Sequence, residues 1–95
     1  MKIDIKKVGK IIGSIRRIRG ITQKQIARET GLTINYLSLL ENGKRGIALG
    51  SLDKICEIIN IPPAAIFILA TRRNKKFPVI SRLKKIVRDN EAFHK

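Results

Sequence analysis

The run 22–45, TQKQIARETGLTINYLSLLENGKR, constrains this chain more than any other stretch. Thr22 stands where a helix N-cap belongs, and Gln25, three residues on, completes a capping-box pattern. Gly31 stops that helix, in the left-handed conformation that glycine adopts without a Cβ clash. Thr33 opens a second helix almost at once, and Asn42-Gly43 closes it. Ile26 and Ala27 are expected to face inward on the first helix, Leu37 and Leu40 on the second. The run therefore predicts two short helices joined by a tight turn, over 22–42.

The flanking sequence supplies what such a pair needs to pack against. Val8, Ile12 and Ile15 recur at helical spacing and predict a helix over 5–19, ended by Gly20. Ile11 and Ile18 lie on a different stripe of that helix. They are either incidental, or they meet another element or a second chain. Leu52, Ile55 and Ile59 predict an inward face for a helix over 49–59. Pro62-Pro63 predicts a helix start, since proline is tolerated in a first turn, and that helix runs to about residue 71. Residues 72–76 form a basic linker. A sixth helix is expected over 78–90, with Val79, Ile80, Leu83, Ile86 and Val87 on one face and Arg82, Lys84, Lys85 and Arg88 on the other. No strand, repeat or low-complexity tract is expected. The fold class is all-α, with a domain over 1–70 and a basic linker plus C-terminal helix over 71–95.

Composition narrows the partners. The 95 residues carry a net charge of +14, and aromatics make up only 4%, so Ile and Leu must fill the core. Residues 71–95 hold 9 of the 21 Lys and Arg but 2 of the 7 Asp and Glu, which is half of the net charge. Such a balance favours polyanions: DNA, RNA or an anionic surface. The single cysteine, Cys56, allows no intrachain disulfide and no Cys-rich zinc site, which fits a reducing cytoplasm. The N-terminal MKIDIKKVGK has no long apolar stretch, so no signal peptide is expected. The apolar run 61–70 is interrupted by prolines and too short to span a bilayer. His94 is the only histidine, and Cys56 sits at an inward helix position, so neither a metal site nor a catalytic constellation nor a cofactor is expected.

The second helix of the central pair divides into two faces. While Leu37 and Leu40 turn inward, Ile34, Asn35, Ser38 and Leu39 turn outward. Asn35 can bond adenine through N6 and N7, Ser38 several base edges or a phosphate, and Ile34 and Leu39 can pack on thymine methyl groups. No arginine on the helix body offers a fork to guanine, so direct readout is expected to lean towards A·T pairs. Exposed Ile34 and Leu39 would equally suit a protein-contact face. Tyr36 either packs at the helix edge with its hydroxyl on a phosphate or simply fills space. Gln23 lies in the first turn of its helix, where unpaired N–H groups favour an anion. Lys24, Arg17, Asn42, Lys44 and Arg45 are the other candidate phosphate contacts, together with the hydroxyl of Thr22.

Taken together, Ile15-Arg16-Arg17, Gly20, Thr22-Gln23, Ala27, Gly31, Tyr36-Leu37-Ser38, Glu41-Asn42-Gly43-Lys44-Arg45, Leu52 and the segment 61–67 resemble the lambda-repressor/Cro-type (xenobiotic-response-element, XRE) helix-turn-helix family. The resemblance spans roughly 8–67. It implies a five-helix DNA-binding domain, here with an additional C-terminal helix. It implies that Gln23 contacts phosphate and buttresses the second helix, and that Thr33, Ile34, Asn35, Ser38 and Leu39 face the groove. It also implies that Arg16 pairs with Glu41. The family often has Asn-Pro-Ser after the Lys-Arg of this loop. Here Gly46-Ile47-Ala48 stands instead, so the next helix is expected to be capped near Ser51 or to begin weakly.

By the same resemblance the chain is expected to be a transcriptional regulator, most simply a repressor, bound as a homodimer to a near-palindromic double-stranded site. Ile66, Phe67 and Leu69, with Ile80, Leu83 and Val87, are the candidate dimer contacts, and Ile11 and Ile18 are available to receive them. The alternative is a monomer whose sixth helix folds back on the first. Two specialised readings use the same domain: the antitoxin of a toxin–antitoxin pair, with the C-terminal helix holding the protein partner, and the controller of a restriction–modification system. A protein-interaction module is the reading from another class. Arg72, Arg73, Lys75 and Lys76 are either a solvated basic surface or further backbone contacts.

Overall fold

The computed structural model describes residues 4–71, together with Arg88. Among the described residues the chain is all-helical: α1 (Ile5–Ile18), α2 (Gln23–Thr30), α3 (Ile34–Glu41), α4 (Leu49–Ile59) and α5 (Pro63–Thr71). The helix over 78–90 lies outside the described residues, apart from Arg88, which is helical and exposed. Ile80, Leu83 and Val87 and the basic run Arg72, Arg73, Lys75 and Lys76 lie outside them as well.

Local chemistry sets most of the boundaries. The Asp4 carboxylate caps α1, accepting from the backbone N–H of Lys6 at 3.0 Å and of Lys7 at 3.4 Å. Thr22 caps α2 by accepting from Gln25 N–H at 3.0 Å, and Thr33 caps α3 by accepting from Tyr36 N–H at 3.0 Å. Each such cap is worth about 1 kcal/mol relative to alanine. Gly31 ends α2 at φ 79°, as the sequence leads one to expect. α4 differs. It starts at Leu49 from Ala48, whose methyl offers no acceptor, so it has no side-chain cap, and Ser51 lies within its first turn.

α1 packs on α3 and α5, α2 packs on α3 and α4, and α4 packs on α5. The core they enclose contains Val8, Ile12, Ile15, Ile26, Leu37, Leu40, Leu52, Ile55 and Ile59, all essentially without exposed surface. Each contributes about 1.5–3 kcal/mol of burial free energy relative to an exposed position. Ile11 is buried too and Ile18 packs against the same core. The second stripe of α1 is thus covered within the chain at Ile11 and partly covered at Ile18. Ile66 and Leu69, two of the candidate dimer contacts, are likewise buried in the chain's own core. Phe67 is half-buried, and Ile68 between these residues is exposed at 58%.

α1 lies unusually close to the end of α3. A Cβ built on Gly9 would stand 2.0 Å from the Leu40 carbonyl oxygen, and one on Gly13 would stand 3.0 Å from Glu41 Cγ. Glycine at these two positions, four apart on one face, lets the backbones touch. No single described helix is long and apolar enough to cross a membrane, and the apolar pair α4 and α5 is bent by 106°.

Candidate nucleic-acid interface

α2 and α3 form the two-helix unit, and the short Gly31-to-Thr33 turn fixes their relation. With Leu37 and Leu40 fully buried, α3 is anchored from one side. Its opposite side carries exposed Thr33, Asn35 and Ile34, the last at 47% exposure, while Tyr36, Ser38 and Leu39 are half-buried at its margins. Thr22 and Lys24 at the start of α2 are exposed, as are Asn42, Lys44 and Arg45 after α3, and Gln23 is half-buried. The expected outward set therefore surrounds one end of the helix pair. The N-cap hydroxyls of Thr22 and Thr33 accept from their own helices and keep a proton to donate outward.

An ion-pair network stiffens this unit from behind. Arg16 of α1 donates to Glu41 of α3 through Nε at 2.7 Å and Nη2 at 3.0 Å, and through Nη1 to the Ile21 carbonyl at 2.8 Å. The Arg16 and Glu41 side chains are only 12% and 5% exposed, so removing one partner would strand a largely buried charge at a cost of about 3 kcal/mol. Arg17 approaches the same carboxylate at 3.8 Å from a mostly exposed position. The Gln23 amide donates to Glu41 Oε1 at 3.0 Å, and the Ser38 hydroxyl donates to Gln23 Oε1 at 3.3 Å. Gln23 thus braces α3 against α2, the buttressing role the resemblance implies. The Asn42 side chain donates to the Ser38 carbonyl at 2.7 Å, closing the end of α3.

The loop after α3 is shaped by backbone bonds. Gly43 N–H donates to the Leu40 carbonyl at 3.1 Å and Lys44 N–H to the Leu39 carbonyl at 2.9 Å, the paired closure of a Schellman motif. Gly43 takes φ 71°, a conformation costly for a residue with a Cβ. Tyr36 lies at the helix edge, half-buried, and its hydroxyl donates to the Gly46 carbonyl at 3.4 Å. The Arg45 guanidinium sits 5.2 Å from the Tyr36 ring centre, within cation–π range. This brings Arg45 beside α3 and Lys44 next to it.

Sequence reasoning missed the two glycines of α1 that let Glu41 come within reach of Arg16 and Gln23. Their signal was the four-residue spacing of small residues on a helix that otherwise carries bulky side chains. Elsewhere, burial pushes the Cys56 thiol up to about 12, with the neighbouring Asp53 carboxylate adding to the shift, so it is no nucleophile at neutral pH. Among the described residues no group of three or more His, Cys, Asp and Glu is placed to hold a metal ion.

Comparison with known proteins agrees with this geometry. A family model described as helix-turn-helix matches residues 12–66. The antitoxin PezA of Streptococcus pneumoniae is 37% identical over 54 residues, covering 57% of this chain and 34% of that protein. The chain thus spans about a third of the length of that relative. An uncharacterized HTH-type transcriptional regulator, y4dJ, of Sinorhizobium fredii is 30% identical over 60 residues, covering 62% of this chain and 78% of the relative. The crystal structure of the clp gene regulator ClgR from Corynebacterium glutamicum superposes with a TM-score of 0.66 at 18% identity, covering 98% of this chain and 88% of that one, a likeness of fold. On these matches the chain belongs to the XRE-type helix-turn-helix family.

Proposed function

We propose that this protein is a repressor that binds a near-palindromic operator as a homodimer, with α3 in the major groove. The observation that carries the reading is the division of α3: Leu37 and Leu40 are wholly buried while Ile34 and Asn35 stand exposed on the other side, flanked by Lys24, Lys44 and Arg45. Asn35 reads adenine, and Ile34 and Leu39 pack on thymine methyls, which biases the half-site towards A·T pairs. Thr22, Gln23, Lys24, Asn42, Lys44 and Arg45 hold the phosphates, where the positive end of α2 adds to the attraction. Within the described residues, Ile68 and the open edge of Phe67 replace Ile66 and Leu69 as the apolar surface available for pairing.

Selection of bound DNA from a random pool tests this. The expected product is an A·T-leaning, two-fold symmetric site with half-sites about one helical turn apart. A G·C-rich half-site would sink the readout assignment. An asymmetric site, together with a monomer at micromolar concentration by sedimentation, would sink the homodimer.

The similarity to the PezA antitoxin over 54 residues favours a second reading, in which the same domain binds DNA and residues 71–95 hold a toxin. A neighbouring toxin gene, and a stable complex with its product, would decide for it.

A further inference from the structure

The bonds behind α3 have a direction that can be followed proton by proton. Carboxylate oxygens only accept. Glu41 Oε2 takes Arg16 Nε, and Oε1 takes both Arg16 Nη2 and the Gln23 side chain, the latter at 3.0 Å. The Gln23 group that faces Glu41 must therefore be its NH2, which turns its carbonyl oxygen towards Ser38. A carbonyl also only accepts, so across the 3.3 Å separation the proton comes from Ser38 Oγ. The distance is long for an O–H···O bond, but neither the carbonyl nor the carboxylate behind it has a proton to send the other way. Serine has one hydroxyl proton. With that proton directed inward, the Ser38 oxygen offers only lone pairs to the outside.

We propose that Ser38 is a one-way acceptor in DNA readout. It selects a base that presents an exocyclic amine in the major groove, adenine through N6 or cytosine through N4, and disfavours guanine and thymine, which present N7, O6 or O4 as acceptors. The proposal rests on the reading of α3 as the groove-facing helix. It narrows that reading, because an unconstrained serine bonds donors and acceptors alike. Arg16, Glu41 and Gln23 touch no base in this scheme and act as positioning residues for the Ser38 proton.

The test compares DNA selected by the wild-type protein and by Ser38→Ala. The position whose preference the variant loses is the one facing Ser38, and the wild type is expected to hold A or C there. Replacing that adenine by purine, or that cytosine by 2-pyrimidinone, deletes only the amine. The wild type should then bind about 5-fold more weakly, the loss of one hydrogen bond. Ser38→Ala should already bind about 5-fold more weakly and be indifferent to the deletion. Recovery of G or T at that position, no position affected by the variant, or equal sensitivity of both proteins to the deletion would overturn the proposal. The analogue arm needs only the wild type, so it stands even if the variant folds poorly. Failure to select any DNA would instead overturn the DNA-binding reading itself, and this proposal with it.

Discussion

A Cβ on Gly9 would lie 2.0 Å from a backbone oxygen of α3, a contact that no side-chain rotation relieves. A Cβ on Gly50, in the first turn of α4, would meet nothing within 4 Å. The two glycines thus make a matched pair. Gly9→Ala should destabilise the fold by about 3 kcal/mol, because α1 must lift away from Leu40 and disturb the Arg16–Glu41 pair behind it. Gly50→Ala should stabilise by about 0.5 kcal/mol, since alanine has less backbone entropy to lose in a helix. Urea melts of the two variants check both signs, and an equal response would show that the close approach of α1 and α3 is not tight. In the local sequence only the four-residue spacing of Gly9 and Gly13 separates Gly9 from Gly50. Both lie within helical patterns, and the neighbour across the gap differs.

Among α1 to α4, α4 is the helix that starts without a side-chain cap. α1, α2 and α3 each begin on a side-chain acceptor, Asp4, Thr22 and Thr33, while α4 begins on Ala48. Its backbone there is already extended, at φ −74° and ψ 147°, the geometry a cap residue needs. Ala48→Ser should therefore add about 1 kcal/mol and raise the melting temperature by about 4–8 °C, measured by circular dichroism. No change would mean that the serine hydroxyl fails to reach the N–H groups of the first turn. The helices themselves were legible in the sequence, because caps and 3.6-residue periodicity act within one turn of chain. The inward face of α5 was not. Ile66, Phe67, Ile68 and Leu69 are apolar all round, so periodicity cannot say which of them is covered. The answer, Ile66 and Leu69 inside and Ile68 outside, depends on where α1 and α4 lie.

For the whole molecule, electrostatics sets the scale of affinity. With a net charge of +14 on 95 residues, binding to DNA is expected to weaken steeply with salt as phosphate neutralisation is screened. Lys44→Ala should weaken binding to all DNA alike and reduce the magnitude of the log–log salt slope by about 1. Asn35→Ala should instead relax sequence preference with little change in slope. Both are read from the same salt titration on selected and random duplexes. A flat salt dependence would point away from DNA and towards a protein partner on the Ile34 and Leu39 face.

By itself, the sequence determined the five described helices, the caps at Thr22 and Thr33, the turn at Gly31 and the inward turn of Leu37 and Leu40 on α3, since each follows from forces acting over a few residues. It also carried the family, because the joint spacing of those features is specific. Tertiary structure decided what depends on partners distant in sequence. It placed Ile11, Ile66 and Leu69 inside their own domain, brought α1 onto α3 across Gly9, and joined Arg16, Glu41, Gln23 and Ser38. The direction of a hydroxyl proton at the tip of that network cannot be read along the chain, because it is set by a carboxylate on one helix acting through an amide on another. The run 22–45 therefore carries the helix pair along the chain, while the contacts behind it, from Arg16 through Glu41 and Gln23 to Ser38, exist only in the folded domain.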